Sequence, residues 1–437
     1  MASIVLVTDA TSFTSSHIIK QLQEEGYQVR GTVTSLQDEE TRIKLLQELV
    51  PEAKYKLEVV EADPAKSETW ESAMKDVQHV IHAIKPAAAL PPAAEGEAPV
   101  QPAVEAVQNI FKASVVSKTV KRIVLTSSYQ AITAAPTAAT DKVFTEADWA
   151  DAETADPLTK SIILAEKSAW DFVKELTDAD KIDLCVMNPT LPLGPLLLDA
   201  QQDVVKMILD RGITGCPRVS YSLVDVRDVA AAHVKALALD VSGHRHILHG
   251  GNLWMKDIAL ALAKEYKPQG YSIHTMSLPN VALWGLSLFN KNAKTFLPIV
   301  GKQSQFDNTR MKDVLGISPK DVKETIMEEA SVLIEKGLVK KPKRTRCQGG
   351  GAAAADNEAK TEETTEKKEG EGEDKPKENG DVKEEEAEKK EDQEESKGDG
   401  KVEEKKEEEA KSDADKAAVD EVKTEAPEES TEAKAEN

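Results

Sequence analysis

Aromatic residues make up only 4% of this 437-residue chain, and there are three cysteines. Cys185, Cys216 and Cys347 are odd in number and widely spaced. That pattern excludes a disulfide framework or a cysteine zinc site and implies reduced thiols in a cytoplasmic or nuclear protein. No apolar run approaches the roughly 18 residues needed to span a bilayer, so a spanning protein is excluded and no membrane partner is expected. The opening Ile4-Val5-Leu6-Val7 meets Asp9 almost at once, too short a stretch for a signal peptide. Positive charge falls short of negative, with a formal net charge of −22, and the deficit is uneven. Residues 351–437 carry 34 acidic and 16 basic side chains, a net of −18, which leaves −4 on the first 350. A nearly neutral body with an acidic extension is a poor nucleic-acid binder, because such binding neutralises phosphates. From Asp356 onward there is no Leu, Ile, Met or aromatic residue. That tail cannot bury enough apolar surface to offset its conformational entropy and is expected to be disordered.

What is present in the body is an alternation of strand and helix patterns. Short apolar runs at 4–8, 27–33, 57–60, 77–83, 122–126 and 182–187 read as strands. Amphipathic stretches at 15–25, around 43–49, at 104–120 and at 159–174 read as the helices between them. This spacing predicts βαβ units, hence a doubly wound parallel sheet of the Rossmann-like α/β class over residues 1–190. Prolines in the segment Asn188–Pro195 mark a change of character. Beyond them, helices at 200–210, 227–240, 255–266 and 321–336 and strands at 219–225 and 246–249 suggest a smaller lobe over 191–338, with strands returning to the core. A basic and glycine-containing linker follows at 339–350, and then the tail at 351–437.

The turn between the first strand and helix reads Thr8-Asp9-Ala10-Thr11-Ser12-Phe13-Thr14-Ser15-Ser16-His17. It resembles the opening TGATGFIGSH of the extended short-chain dehydrogenase/reductase superfamily. Further segments carry the resemblance toward the branch of dihydroflavonol reductases, cinnamoyl-CoA reductases and yeast ketone reductases. They include Val29-Arg30-Gly31-Thr32-Val33, Leu125-Thr126-Ser127-Ser128, Leu164-Ala165-Glu166-Lys167, Asn188-Pro189-Thr190 and Val224-Asp225-Val226-Arg227-Asp228. It covers about residues 3–335 and implies a dinucleotide-binding fold with a substrate lobe.

Against that pattern the chain departs where chemistry is expected. The three loop glycines of the family fall at Asp9, Ser12 and Ser15. Those glycines permit a tight turn, backbone approach to the pyrophosphate, and close packing of helix on strand. A carboxylate about 5 Å from a phosphate, at an effective dielectric of about 20, costs roughly 3 kcal/mol, on the order of a hundredfold in affinity. The helix N-terminus returns only about 0.3–1 kcal/mol. Asp9 and Ser12 are therefore expected to cap the helix rather than to leave its amides for an anion. An arginine that pairs with a ribose phosphate in the family falls at Thr34, and Arg30 lies earlier, on the strand. The resemblance assigns the family's catalytic Tyr and Lys to Leu158 and Ile162, leaving only Ser128 of the triad. Leucine cannot donate a proton, and Lys160 is rotated by about 200° from the required direction. Tyr129 and Tyr221 are the substitutes that an active enzyme would have to use. His244, His246 and His249 lack accompanying ligands at metal spacing, so no metal site is expected. The Asp225–Asp228 segment is expected to tether the small lobe.

Together these features lead to the expectation of a catalytically inactive reductase-fold protein that binds or scaffolds a partner, with no cofactor. The alternative is an active oxidoreductase using NADPH or NADH, and a third reading acts mainly through the tail on a basic protein partner. Lys340–Arg346 reads as a basic linker or a nuclear-import signal in an otherwise cytoplasmic protein. A monomer and a dimer are both compatible with the sequence.

Overall fold

A computed structural model describes residues 3–84, 100–134, 142–198, 203–212, 214–289 and 291–340. Cys347, residues 341–346 of the basic segment, the glycine linker, the tail and most of the Ala/Pro-rich segment after the fourth strand lie outside the described residues. Contacts divide the chain after Gly351, and every described residue belongs to the first unit.

Along the described chain, strands β1 (Ile4–Val7), β2 (Gln28–Val33), β3 (Glu58–Glu61), β4 (Val77–Ala83), β5 (Arg122–Thr126) and β6 (Val143–Phe144) come first. They are followed by β7 (Asp183–Pro189), β8 (Leu191–Leu193), β9 (Ser220–Asp225), β10 (His244–Leu248), β11 (Gly251–Trp254) and β12 (Gln305–Phe306). Helices α1 (Phe13–Glu24), α2 (Glu40–Gln47), α3 (Trp70–Ala73), α4 (Val100–Ser117), α5 (Pro157–Lys174) and α6 (Val204–Leu209) accompany the first half. In the second half run α7 (Val226–Ala238), α8 (Met255–Tyr266), α9 (Asn280–Ser287), α10 (Lys291–Phe296), α11 (Thr309–Asp313) and α12 (Val322–Glu335).

Seven strands form one parallel sheet in the order β10-β7-β5-β4-β1-β2-β3. The expected doubly wound Rossmann-like sheet is thus present. Its strands are continuous apolar runs because helices cover both faces. Val5, Leu6 and Val7 are all fully buried, the odd and even positions facing opposite layers. Helices α1 and α7 pack together on one face and α4 and α5 on the other. The chain leaves β1 toward β2 on one side and reaches β4 on the other, so a crevice opens at the ends of β1 and β4. Gly31 in β2 is required by close approach: a Cβ there would sit 2.7 Å from that of Ala10 in the turn after β1.

The smaller lobe is built on the sheet β11-β9-β8, with α6, α8 and α12 enclosing a separate apolar cluster. β8, β11 and α9 to α11 go beyond the sequence expectation, as does an α4 that begins before Pro102. Proline is tolerated in a first helical turn, where its missing N–H has no intrahelical partner to lose. The lobe is tied down through Asp225, which caps α7 and is fully buried. It accepts from Arg227 Nε at 2.9 Å, Arg227 Nη2 at 2.6 Å and the Thr325 hydroxyl at 2.7 Å. Arg227 also pairs with Glu328 of α12 at 2.7 Å, and Asp228 accepts from the Lys320 amide at 2.7 Å.

Beneath the ends of β5 and β7 lies a buried polar knot. Glu166 of α5 is fully buried and pairs with Arg245 of β10 at 2.7 Å. Its carboxylate accepts from the Ser127 hydroxyl at 2.5 Å, Asn188 Nδ2 at 2.9 Å and Trp170 Nε1 at 3.3 Å. Arg245 in turn donates to the carbonyls of Asp148 at 2.6 Å and Glu146 at 3.1 Å, and its guanidinium stacks 3.9 Å from the Trp149 ring centre. Removing one partner strands the other charge without solvent. Glu166→Gln is expected to lower unfolding free energy by about 3–5 kcal/mol in urea denaturation. Adding Arg245→Met should recover part of that loss, and strictly additive losses would show that the two side chains are not coupled.

Candidate functional site

The crevice begins where β1 ends in Thr8 and the chain turns sharply. Asp9 adopts φ +51°, the left-handed conformation that favours glycine and that Asp tolerates better than most residues. The Ser12 amide donates to the Asp9 carbonyl at 2.9 Å, closing the turn. Ser12 then caps α1, its hydroxyl accepting from the Ser15 amide at 3.3 Å. The cap is therefore Ser12, whereas Asp9 supplies the turn rather than the expected second cap. Ser15 is buried and donates to the Thr8 carbonyl at 2.9 Å, so a hydroxyl is accommodated where the family packs glycine.

A second feature of the loop was not legible from spacing. The Thr11 hydroxyl donates to the carboxylate of Glu39, which precedes α2. Arg42 of α2 donates to the Thr11 carbonyl at 2.6 Å and lies 3.4 Å from Glu39. The turn after β1 is thereby fastened to the start of α2, and a cation is brought to it. Only the i,i+3 spacing of Glu39 and Arg42 hinted at this, and that spacing is common on any helix. Arg30 serves structure: it donates to Glu58 at 2.8 Å and to the carbonyls of Ala73 and Lys75 at 2.8 and 2.7 Å. Thr34 lines the crevice with Asp9, Thr32 and His82, around a cavity of about 20 Å³. That is far below the roughly 300–1,000 Å³ of ligand pockets.

At the other end of the crevice, Ser128 follows β5 and caps a short turn over Tyr129–Ala131, its hydroxyl accepting from the Gln130 amide at 3.2 Å. Gln130 Nε2 donates to Thr159 Oγ1 of α5 at 3.1 Å. On that helix Leu158 is half-buried and Ile162 buried, and neither offers a proton. Lys160 points to Glu153 at 3.4 Å. Tyr129 packs edge-on to Phe306 with ring centres 5.7 Å apart. Burial pushes its hydroxyl up, and burial followed by the neighbouring Tyr129 pushes Tyr221 up as well. An acid that must give up a proton near neutral pH needs the opposite shift.

The histidines are placed as core residues. His246 and His249 are buried, and His244 sits exposed at the start of β10. Among the described residues no group of three or more His, Cys, Asp or Glu converges on a metal-sized site. Cys185 and Cys216 are buried and unbonded, and burial pushes the Cys185 thiol up to about 12.

The model of the NAD dependent epimerase/dehydratase family matches residues 5–249. Cinnamoyl-CoA reductase 2 of Arabidopsis thaliana is 31% identical over 347 residues, covering 78% of this chain and 95% of its own length. An uncharacterized oxidoreductase of Schizosaccharomyces pombe is 32% identical over 283 residues, covering 60% of this chain and 82% of its own. Among solved structures, yeast methylglyoxal/isovaleraldehyde reductase Gre2 complexed with NADPH superposes with a TM-score of 0.60 at 26% identity, covering 77% of this chain and all of its own.

The buried histidines set a pH dependence. His17, His233, His246 and His249 are each lowered to about 4, burial being the largest cause. His233 shows how neutrality is held: its Nδ1–H donates to the Val229 carbonyl at 2.8 Å, so Nε2 accepts from the Thr126 hydroxyl at 2.7 Å. Their stabilising effect is complete above about pH 6.5 and is lost as pH falls toward 4, because only the unfolded chain takes up those protons. The raised carboxyls of Glu146, Asp228 and Glu329 act in the opposite sense and soften the slope. Unfolding free energies from urea titrations should drop between pH 7 and 5, by up to roughly 2 kcal/mol per histidine. His233→Gln, which preserves one donor and one acceptor, should flatten that slope by about one proton. A pH-independent midpoint would refute the assignment.

Proposed function

We propose a function from the premise that this chain belongs to the NAD dependent epimerase/dehydratase family, which its match over residues 5–249 establishes. The protein acts as a catalytically inactive member of the reductase branch, a binding or scaffold protein that uses the fold as a rigid body. The observation that carries this reading is the pair Leu158 and Ile162 on α5, at the positions that the family's Tyr and Lys would take. Ser128 remains, but a hydroxyl alone neither donates the proton to a carbonyl at neutral pH nor holds a nicotinamide ribose.

The dinucleotide loop supports the same reading. Ser12 satisfies an amide of α1 that an anion would otherwise take, and Asp9 brings a negative charge into the crevice. These residues do not fit the family's way of holding a diphosphate, so no catalytic step is assigned through a nicotinamide. The acidic segment 351–437 extends the reading to a basic protein partner, because its net −18 suits a surface of opposite sign.

A second reading, an active oxidoreductase using NADPH or NADH, is favoured by two observations. The left-handed conformation at Asp9 keeps the shape of a glycine turn, and Arg42 offers a cation to the same loop. Relatives of this chain include cinnamoyl-CoA reductases, and Gre2 is seen complexed with NADPH.

The two readings separate in one set of titrations. The full chain is expected to leave NADPH fluorescence unchanged up to about 1 mM and to reduce no aldehyde, ketone or dihydroflavonol. Asp9→Gly should strengthen NADPH binding by on the order of a hundredfold, which tests whether that charge is the barrier. Turnover by the unaltered protein that Ser128→Ala lowers by about a hundredfold or more would establish the second reading and end the first.

A further inference from the structure

The small lobe carries an apolar surface that the fold leaves uncovered. Of the eight residues of α9, only Leu283 is buried. Around it Val281 is 81% exposed, Trp284 60%, Leu288 62% and Phe289 92%, and Met276 just before the helix is 79% exposed. Single exposed apolar residues need no explanation, but five large ones on one short segment do. They stand outward as a ridge, and a ridge suits a partner that can deform around it.

Charge narrows the partner. From Tyr266 to Phe306 the sequence contains no Asp or Glu, while Lys267, Lys291, Lys294 and Lys302 fall within the same span. Lys267, Lys294 and His274 are exposed. The adjoining pocket adds Arg218, which lies 5.2 Å from the Trp254 ring centre, and Lys256, against the one carboxylate of Asp257. An acid-free segment of this length is unusual in a chain with 78 acidic residues. The arrangement disfavours a second copy of the chain, since a twofold interface sets the same patch against itself and would oppose lysine to lysine. An apolar ridge with Trp and Phe, rimmed by lysines, has the composition of a segment that lies in the interface of an anionic bilayer.

We propose that α9 and its flanks, over residues 276–289 and 293–302, form a peripheral docking surface for an anionic lipid bilayer, with Trp284 and Phe289 inserting among the headgroups and Lys294 and Lys302 pairing with lipid phosphates and carboxylates. This contact is distinct from a span, for among the described residues no helix is long and apolar enough to cross a membrane. It revises the expectation of no membrane partner, which rested on the lack of a span. The inference is independent of whether the crevice holds a dinucleotide.

Flotation of the full chain with vesicles of phosphatidylcholine, with and without about a quarter phosphatidylserine, tests it. Recovery with the anionic vesicles is expected to exceed that with the neutral ones by about tenfold and to fall at high salt. Trp284→Glu combined with Phe289→Glu should reduce it about tenfold or more with an unchanged melting temperature, since both side chains are solvent-facing. Lys294→Glu should weaken binding to the anionic vesicles alone. Equal recovery of the parent and the double variant, or no flotation with either vesicle, would overturn the proposal. So would a dimer by sedimentation velocity that the double variant dissolves, which would reassign the ridge to a second copy.

Discussion

The carboxylate of Glu166 is the constraint from which much of this structure follows. It is fully buried on α5 and reaches Ser127 at the end of β5, Asn188 in β7 and Arg245 in β10. Four elements that are remote in sequence are thereby held in one register. An ionised group in that position is tolerated only because every side of it is met by a donor or a cation. The same knot fixes the backbone on which Ser128 sits, since Asn188 also donates to the Ser128 carbonyl at 3.2 Å. The scaffold of the crevice is therefore secured from below, by residues outside its lining.

That division explains how the fold persists while residues of the crevice depart from the family pattern. The polar residues that bind element to element, Glu166, Arg245, Asn188 and Asp225, are all present and paired. Changes at Asp9, Ser12 and Ser15 cost the fold little. Asp enters the left-handed region with modest strain, Ser12 provides a cap, and Ser15 finds a carbonyl for its hydroxyl. Leu158 and Ile162 likewise suit a helix whose inner side is apolar.

Much of the architecture was legible in the sequence because parallel strands buried on both faces are continuous apolar runs, and β4 and β5 match their expected limits residue for residue. The short strands β8 and β11 and the helices α9 to α11 were not legible. Three- or four-residue strands carry too little periodicity to read, and α9 has apolar residues on all sides, so its sequence has no helical stripe. At the candidate site, the identities at positions 9, 12, 15, 128, 158 and 162 could be read directly from the chain. The fastening of Thr11 by Glu39 and Arg42 could not, because it depends on the path of the chain between β2 and α2.

The sequence by itself determined the alternation of strands and helices, the separation of an almost neutral body from an acidic tail, and the side chains available at each position of the crevice. These are local properties of periodicity, composition and residue type. Only the tertiary structure decided which charges meet, which histidines are held neutral, and which apolar residues remain in water. Burial and pairing arise from segments brought together across more than a hundred positions, as Thr126 and His233 are. Trp284 and Phe289 show the difference most directly, for apolar residues like these usually belong to a core, and here the fold leaves them outside it.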